Sequence, residues 1–348
     1  MTQLQILQAA PGLSLQDMGR NGLVSQGVSP GGAADRLALL EGAALLSLPA
    51  PLAALEMAGA GGVFTATAPL RIALTGAPMT ATLEGQPLAW NASHLLPVGA
   101  ELRIGGVRAG TYGYLSFSAP VLSAHLPTGT AVTPWQGSIA THFAAGIGAR
   151  LTAGCQLEFG DAVQTDAPPL CLPTDTRFEG GLCRVMPGPQ TDLFAAETCA
   201  RFYDTRFTKG QRANRQGVAL ESTGQGFSTP AATGLLSDFI AAGDIQMTGD
   251  GQPFVLLSEC QTIGGYPRLG TVLPEDLPRV AQCQPGATLQ FQQVTLDMAR
   301  DAMRCDSEIL SALRQKLTPL TRAPQDIRDL LSYQLVSGVT AGDDLDIP

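Results

Sequence analysis

Apolar and polar residues alternate over short runs along most of this chain, a period-two pattern that predicts β-strands with one buried face. Residues 4–8 (LQILQ) form the first such run, and Pro11-Gly12 follows as a turn signal. Residues 13–32 are rich in glycine and polar groups and are expected to form an ordered loop. From Ala33 to Leu48 the pattern changes. Leu37, Leu40 and Leu45 recur close to helical spacing, which predicts a helix. Gly31 and Gly32 precede it, so its first N–H groups are expected to be accessible. Between Leu55 and Phe117, runs such as GGVFTAT, LRIALTG, AELRIGG and TYGYLSFS are separated by glycine or proline, as in a β-meander or barrel. Residues 119–146 carry no clear period.

The proline-rich, aperiodic stretch 161–181 places a domain boundary. A second β unit follows, with LCRVMPG, GVALES, IQMTG, PFVLLSE and TLQFQQV as its strands. After Leu296 the pattern turns helical through LDMARDAMRCDSEILSALRQKL. Pro319 and Pro324 end that helix, and a short helix is expected at Ile327–Leu335. The expected organisation is an N-terminal β-barrel-like domain with one helix over 1–165, a second β domain over 180–295, and a helical tail over 296–348.

Composition narrows the classes. Hydrophobic residues make up 45% and charged residues 15%, which supplies a core and argues against disorder. The net charge of −9, with Lys209 and Lys316 as the only lysines, argues against nucleic acid as a partner. Seven cysteines contain no CxxC pair, so zinc-ribbon and thioredoxin-type readings fail and free thiols in a reducing cytosol are expected. No basic leader and no apolar run near the ~20 residues of a membrane helix is present, so a cytoplasmic location is expected, with no membrane partner. GxxxxGK[ST], GxSxG and HExxH are absent. His94, His125 and His142 are scattered, which points to structural or surface roles and to no metal. No lysine lies in a Met-Lys-Met context, so biotin is not carried on this chain.

Chemistry concentrates in Glu259-Cys-Gln-Thr-Ile-Gly-Gly-Tyr-Pro-Arg-Leu-Gly270, which follows an apolar strand. Gly264 and Gly265 permit positive φ and close approach of a ligand. N–H groups exposed in such a turn form anion nests. Gln261 and Thr262 add neutral donors and Tyr266 a hydroxyl and a flat face, suited to polarising an amide or carboxyl oxygen, and Glu259 is a candidate base if partly buried. A glycine-rich hairpin without a ligand fits the same residues. Asp17, Arg20 and Asp35 suit an ion-pair network or a cleft wall, or simply the pinning of the glycine-rich loop. Arg212, Asn214 and Arg215 suit a carboxylate or phosphate, or an exposed polar loop.

The 259–270 segment resembles the DRQTTGGYP-type motif of the biotin-dependent carboxyltransferase family, which includes allophanate hydrolase subunit 2 and the C-type 5-oxoprolinase subunit. Further segments resemble the same family in the same order: Leu15-Gln-Asp-Met-Gly-Arg20, Gly27-Val-Ser-Pro-Gly-Gly-Ala-Ala-Asp35, Leu55-Glu56, Ala73-Leu-Thr-Gly-Ala77, Val185-Met-Pro-Gly-Pro-Gln190, Asn214-Arg-Gln-Gly-Val-Ala-Leu-Glu221, Asp244-Ile-Gln-Met-Thr-Gly-Asp-Gly-Gln-Pro253 and Pro274-Glu-Asp-Leu-Pro-Arg-Val-Ala-Gln282. Residues 118–120 (SAP), 137–141 (GSIAT, without the family's arginine) and 149–155 depart from its pattern, which counts against an activity that depends on them.

The resemblance implies a mainly β (α+β) protein with two β-barrel-like domains, one of them cyclophilin-like. It implies a smaller sister subunit (of the B type) and a small amide substrate. The leading role it implies is membership of an ATP-dependent 5-oxoprolinase complex that hydrolyses 5-oxoproline to glutamate. One alternative is carboxyl transfer to urea or a similar amide from carboxybiotin held by a separate protein. Another is a non-catalytic regulatory partner of a kinase-inhibitor subunit. Glu259, Gln261 and Thr262 are then the catalytic candidates. Gly264, Gly265, Tyr266, Arg20, Asn214, Arg215 and Asp17 are the substrate-binding ones.

Overall fold

The computed structural model describes residues 2–162 and 168–321. In the first unit two sheets face one another. One has eight strands in the order 131–132, 121–125, 156–159, 3–9, 60–66, 102–107, 79–83 and 86–87. The other has seven, in the order 13–16, 54–58, 112–117, 70–76, 92–96, 170–171 and 318–319. Alternating side chains from both sheets fill the space between them, among them Leu4, Ile6, Leu55, Phe64, Leu102 and Phe159. Phe117 and Phe159 meet edge to face, with ring centroids 4.9 Å apart.

The strand Leu70–Gly76 shows why its sequence is nearly all apolar. Leu70, Ile72 and Leu74 face the inter-sheet core, while Ala73 packs under helix α1 (Arg36–Leu45) on the other face. A strand covered on both sides has no solvated face to alternate toward. Gly42 lets α1 lie this close: a Cβ there would collide with Ser116 Oγ and stand 2.8 Å from Ser116 Cβ. Helix α1 is shorter than the 33–48 span expected, because Asp35 stops it by accepting from Ala38 N at 3.2 Å as an N-cap. Its entry N–H groups are also not open. Ala34 N donates to Glu56 at 2.9 Å and Asp35 N to Tyr114 Oη at 2.9 Å. Leu13–Gln16, expected to be loop, is a fully buried strand paired with Ala54–Ala58.

The second unit is a closed seven-stranded barrel in the order 180–186, 268–272, 244–247, 253–256, 217–221, 206–214 and 288–293. A parallel pairing of Gly180–Met186 with Thr288–Gln293 closes it. Two helices that the alternation did not signal flank it: α2 (Ala196–Asp204) and α3 (Leu277–Gln282). Phe202 of α2 plugs an aromatic cluster with Phe207, Phe227 and Phe291. The barrel core runs without a break into Ala33, Ala34, Leu39, Tyr112 and Tyr114 of the first unit, so the two units share apolar surface.

The tail splits into α4 (Leu296–Ala302) and α5 (Asp306–Arg314). A new start is written into the sequence at Cys305-Asp-Ser-Glu308, where Glu308 accepts from Cys305 N at 2.9 Å in a capping box. Helix α5 returns to the first unit and packs Leu310 and Leu313 against Leu40 and Ala44 of α1. Pro319 then pairs with Leu170 at the sheet edge. The helix expected at 327–335 lies outside the described residues.

Candidate functional site between the two β units

Asn214 Oδ1 accepts from Gln216 N at 2.7 Å and Gly217 N at 3.3 Å, which makes a tight Asx turn between two barrel strands. The turn throws Arg215 inward. Its guanidinium donates to Glu259 Oε1 at 2.6 Å, and also to Glu56 Oε1, to the Gly32 carbonyl and to Ser258 Oγ. Glu56 Oε2 accepts from Tyr114 Oη at 2.6 Å and from Ala34 N. Glu56 and Glu259 are almost fully buried. One cation thus holds a carboxylate from each unit. Burial pulls the Arg215 pKa down, but Glu56 and Glu259 outweigh it and hold it above the ordinary arginine value. Tyr114 is held well above the usual phenol range, by burial first and Glu56 second.

Glu259 Oε2 accepts from Ala144 N at 3.2 Å and stands 3.9 Å from His142 Nδ1. His142 is buried, with Nε2 2.8 Å from Ser29 Oγ. Its Nδ1 receives Ala145 N–H at 3.2 Å, a donor shared with the His142 carbonyl. A ring nitrogen that accepts a hydrogen bond cannot carry the proton of a neutral imidazole. The hydrogen therefore sits on Nε2 and is donated to Ser29 Oγ. This polarity is opposite to that of a serine hydrolase triad, in which Nε2 takes the serine proton. Burial lowers the His142 pKa; Glu259 opposes this, while Arg20 and Arg215 add to it. The ring is neutral at pH 7.

Arg20 and Asp17 both grip the segment 138–140. Asp17 accepts from Ser138 Oγ at 2.7 Å and Ile139 N at 2.8 Å, and Arg20 Nη2 donates to the Ala140 carbonyl at 2.5 Å. Arg20 is 2% exposed, yet its Nε and Nη1 have no hydrogen-bond partner among the described residues. An unpaired buried donor costs about 1–3 kcal/mol, more when charged. Burial lowers the Arg20 pKa, offset in part by Asp17 and Glu259. Trp135 lies over the guanidinium, 5.8 Å from Cζ to ring centroid.

A cavity of about 220 Å³ lies at the junction, walled by Met18, Gly31 and Ala34 from the first unit and Leu257, Ser258 and Leu277 from the second. Gly31, in the left-handed region at φ +65°, links the cavity to the polar groups. A Cβ there would stand 3.0 Å from His142 Cδ2 and 3.7 Å from Arg20 Nη1.

The structure thus gathers Glu259, Arg215, Arg20 and Asp17 at one junction. It does not gather the rest of the candidate set there. Asn214 shapes its own turn, and Arg212 is exposed and bonded to Gln252. Asp35 pairs with Arg177 at 2.7 Å rather than with Arg20. Gln261 is exposed, and Thr262 is buried with its carbonyl held by Ile240 N at 3.1 Å. Gly264 and Gly265 do not take positive φ. Ile263–Gly264 pairs with Asp238–Phe239 as a two-stranded ribbon, and Gly265 and the half-exposed Tyr266 follow it. Gly264 is required for closeness instead: a Cβ would meet Gln246 Nε2 at 2.7 Å. His142, Ser29 and Glu56 carry no sequence signal as a set. The sequence points His142 to a structural or surface role, because its neighbours at the junction come from segments far away in the chain.

Comparison with known proteins gives a consistent result. The family model for the carboxyltransferase domain, subdomain A and B, matches residues 26–293. The C-type 5-oxoprolinase subunit of Haemophilus influenzae is 27% identical over 90% of this chain and 98% of its own length. That of Escherichia coli is 28% identical with the same coverage. The putative urea carboxylase of Emericella nidulans is 27% identical over 81% of this chain but 23% of its own. The crystal structure of Kluyveromyces lactis urea carboxylase superposes with a TM-score of 0.78 at 21% identity, over 92% of this chain and 31% of that one.

Proposed function

The chain belongs to the carboxyltransferase domain family, subdomains A and B, and on that premise we propose that it is the C-type subunit of an ATP-dependent 5-oxoprolinase complex. One observation carries the choice within the family. The relatives named as C-type 5-oxoprolinase subunits are matched over 98% of their own length, whereas the putative urea carboxylase and the urea amidolyases are matched over 14–23% of theirs. Net, 5-oxoproline, ATP and two waters give glutamate, ADP and phosphate: the phosphoryl group leaves as phosphate, and one water is added across the lactam C–N bond. Its oxygen goes to the carbonyl carbon and a proton to the nitrogen, which yields glutamate.

In this reading the substrate sits in the junction cavity beside Gly31 and Ser258. Arg215 is too fully engaged to contact a ligand and acts as the pin that sets the two units. Both oxygens of Glu259 are also engaged, which makes it an orienter of Arg215 and of the 143–145 turn rather than a free base. Arg20 and Ser29 retain donor capacity. The exposed Gly264–Tyr266 ribbon connects to the cavity wall through Ile240, close in the chain to the lining residue Ala242. ATP supplies phosphoryl activation of the amide oxygen when bound. Lys209, one of the chain's two lysines, is already held by Thr111 Oγ1 at 2.9 Å and the Ala281 carbonyl at 3.1 Å. In this reading the nucleotide belongs to a sister subunit.

Carboxyl transfer to urea or a similar amide is the second reading, favoured by the Emericella relative. Co-expression with candidate sister subunits and measurement of glutamate released from 5-oxoproline, omitting each chain in turn, separates the two. ATP-dependent release that vanishes without this chain supports the first. A stable complex with no release sinks it and directs the assay to urea with a biotinylated carrier.

A further inference from the structure

We infer that Arg20, Ser29 and the bare Cα of Gly31 form a carboxylate-binding subsite covered by Trp135; the inference rests on the reading of the junction as an amide-substrate site. Three observations converge. Arg20 Nε and Nη1 are buried donors with no acceptor among the described residues. Nε and Nη1 lie on opposite sides of the guanidinium, with Nη2 held by the Ala140 carbonyl, so Nη1 offers a single charge-assisted donor to a carboxylate oxygen. Ser29 Oγ accepts from His142, so its own proton is left to donate, and no acceptor for it occurs among the described residues. Gly31 keeps the space between them free: a Cβ would stand against the imidazole at 3.0 Å and close to Arg20 Nη1 at 3.7 Å.

The subsite is closed in this structure. Its cover is Trp135, 44% exposed, whose ring lies over the guanidinium at 5.8 Å from Cζ to centroid. The indole is carried on a tight Trp135–Ser138 turn with Gln136 and Gly137 both at positive φ. The turn is fastened at its Ser138 end by Asp17, through the Ser138 hydroxyl. Carboxylate entry exchanges the indole face for one hydrogen bond from Arg20 Nη1 and one from Ser29 Oγ. The ligand class is a small monocarboxylate whose amide end extends into the junction cavity. The carboxylate of a cyclic amino-acid lactam fits this description, and an uncharged lactam does not.

The test is titration of the full chain with 5-oxoproline, with its carboxamide and with propionate, read by calorimetry and by tryptophan fluorescence. The expected result is that both acids bind with a fluorescence change that is lost in W135F. The carboxamide should bind at least tenfold more weakly than 5-oxoproline. Acid binding should be lost in R20Q and weakened several-fold in S29A, which keeps the test open if R20Q does not fold. If propionate binds in an Arg20- and Ser29-dependent way while 5-oxoproline does not, the oxoprolinase reading falls and the subsite stands. Equal binding of acid and carboxamide, or no Ser29- and Arg20-dependent binding of either acid, overturns the subsite even if the complex releases glutamate.

Discussion

Arg215 Nε and Glu259 Oε1 lie 2.6 Å apart inside the molecule, and the same guanidinium reaches Glu56 in the facing unit. A charged pin between two β units is costly to desolvate and costlier to break. R215M leaves two buried carboxylates without a cation. The expected loss is about 3–5 kcal/mol of unfolding free energy, read from urea midpoints. E56Q/R215M should recover part of that loss. Additive losses in the double variant would show that the two residues do not act as a pair.

The contact between α1 and the sheet makes an unusual prediction for a helix. Alanine is a better helix former than glycine by about 1 kcal/mol. At Gly42, however, a Cβ would collide with Ser116 Oγ and stand 2.8 Å from Ser116 Cβ. G42A should therefore destabilise, by about 1–3 kcal/mol from overpacking. G42A/S116G should return stability toward the parent. Thermal melts of the three proteins check this, and a stabilised G42A would refute the close approach.

His142 should titrate below the ordinary imidazole value of 6.5, because burial disfavours the charged ring. The sign follows directly. The unfolded chain binds the proton first as pH falls, so this residue's contribution to stability is full above about 6.5 and is lost as pH drops toward the folded value. Nitrogen-15 NMR of labelled histidine should show a neutral ring at pH 7 with the hydrogen on Nε2. A hydrogen on Nδ1 would reverse the Ser29–His142 polarity derived above.

The return of α5 to α1 predicts that the tail stabilises the first unit. Leu310 is buried against α1, so L310A should cost about 2–4 kcal/mol. An exposed arm would lose no more than about 0.5 kcal/mol. Denaturant unfolding of the variant decides between them.

G265V tests the ribbon. Its Cβ would meet Ser237 Oγ at 3.4 Å, an ordinary contact, so the fold should survive. Reduced glutamate release by the assembled complex, with stability unchanged, is expected if the ribbon meets substrate. Unchanged release removes the ribbon from the site.

The sequence by itself determined the strand-rich class, the glycine-punctuated runs of both units and the family resemblance. These depend on local period and on short contiguous motifs. It also marked Asp17, Arg20, Arg215 and Glu259, because charged residues beside glycine-rich turns are conspicuous in a chain with so few charges. It misread Gly264–Gly265 as a positive-φ nest: neither takes positive φ, and pairing with a distant strand sets the backbone of Gly264. It missed α2 and α3, whose apolar faces are defined only by the barrel they plug. The junction itself was decided by tertiary structure alone. Glu56, Arg215 and Glu259, or Ser29, His142 and Arg20, come together only when the two β units press a shared apolar surface together. The low dielectric there turns scattered polar residues into obligatory partners, and leaves the unpaired donors of Arg20 as the feature that asks for a ligand.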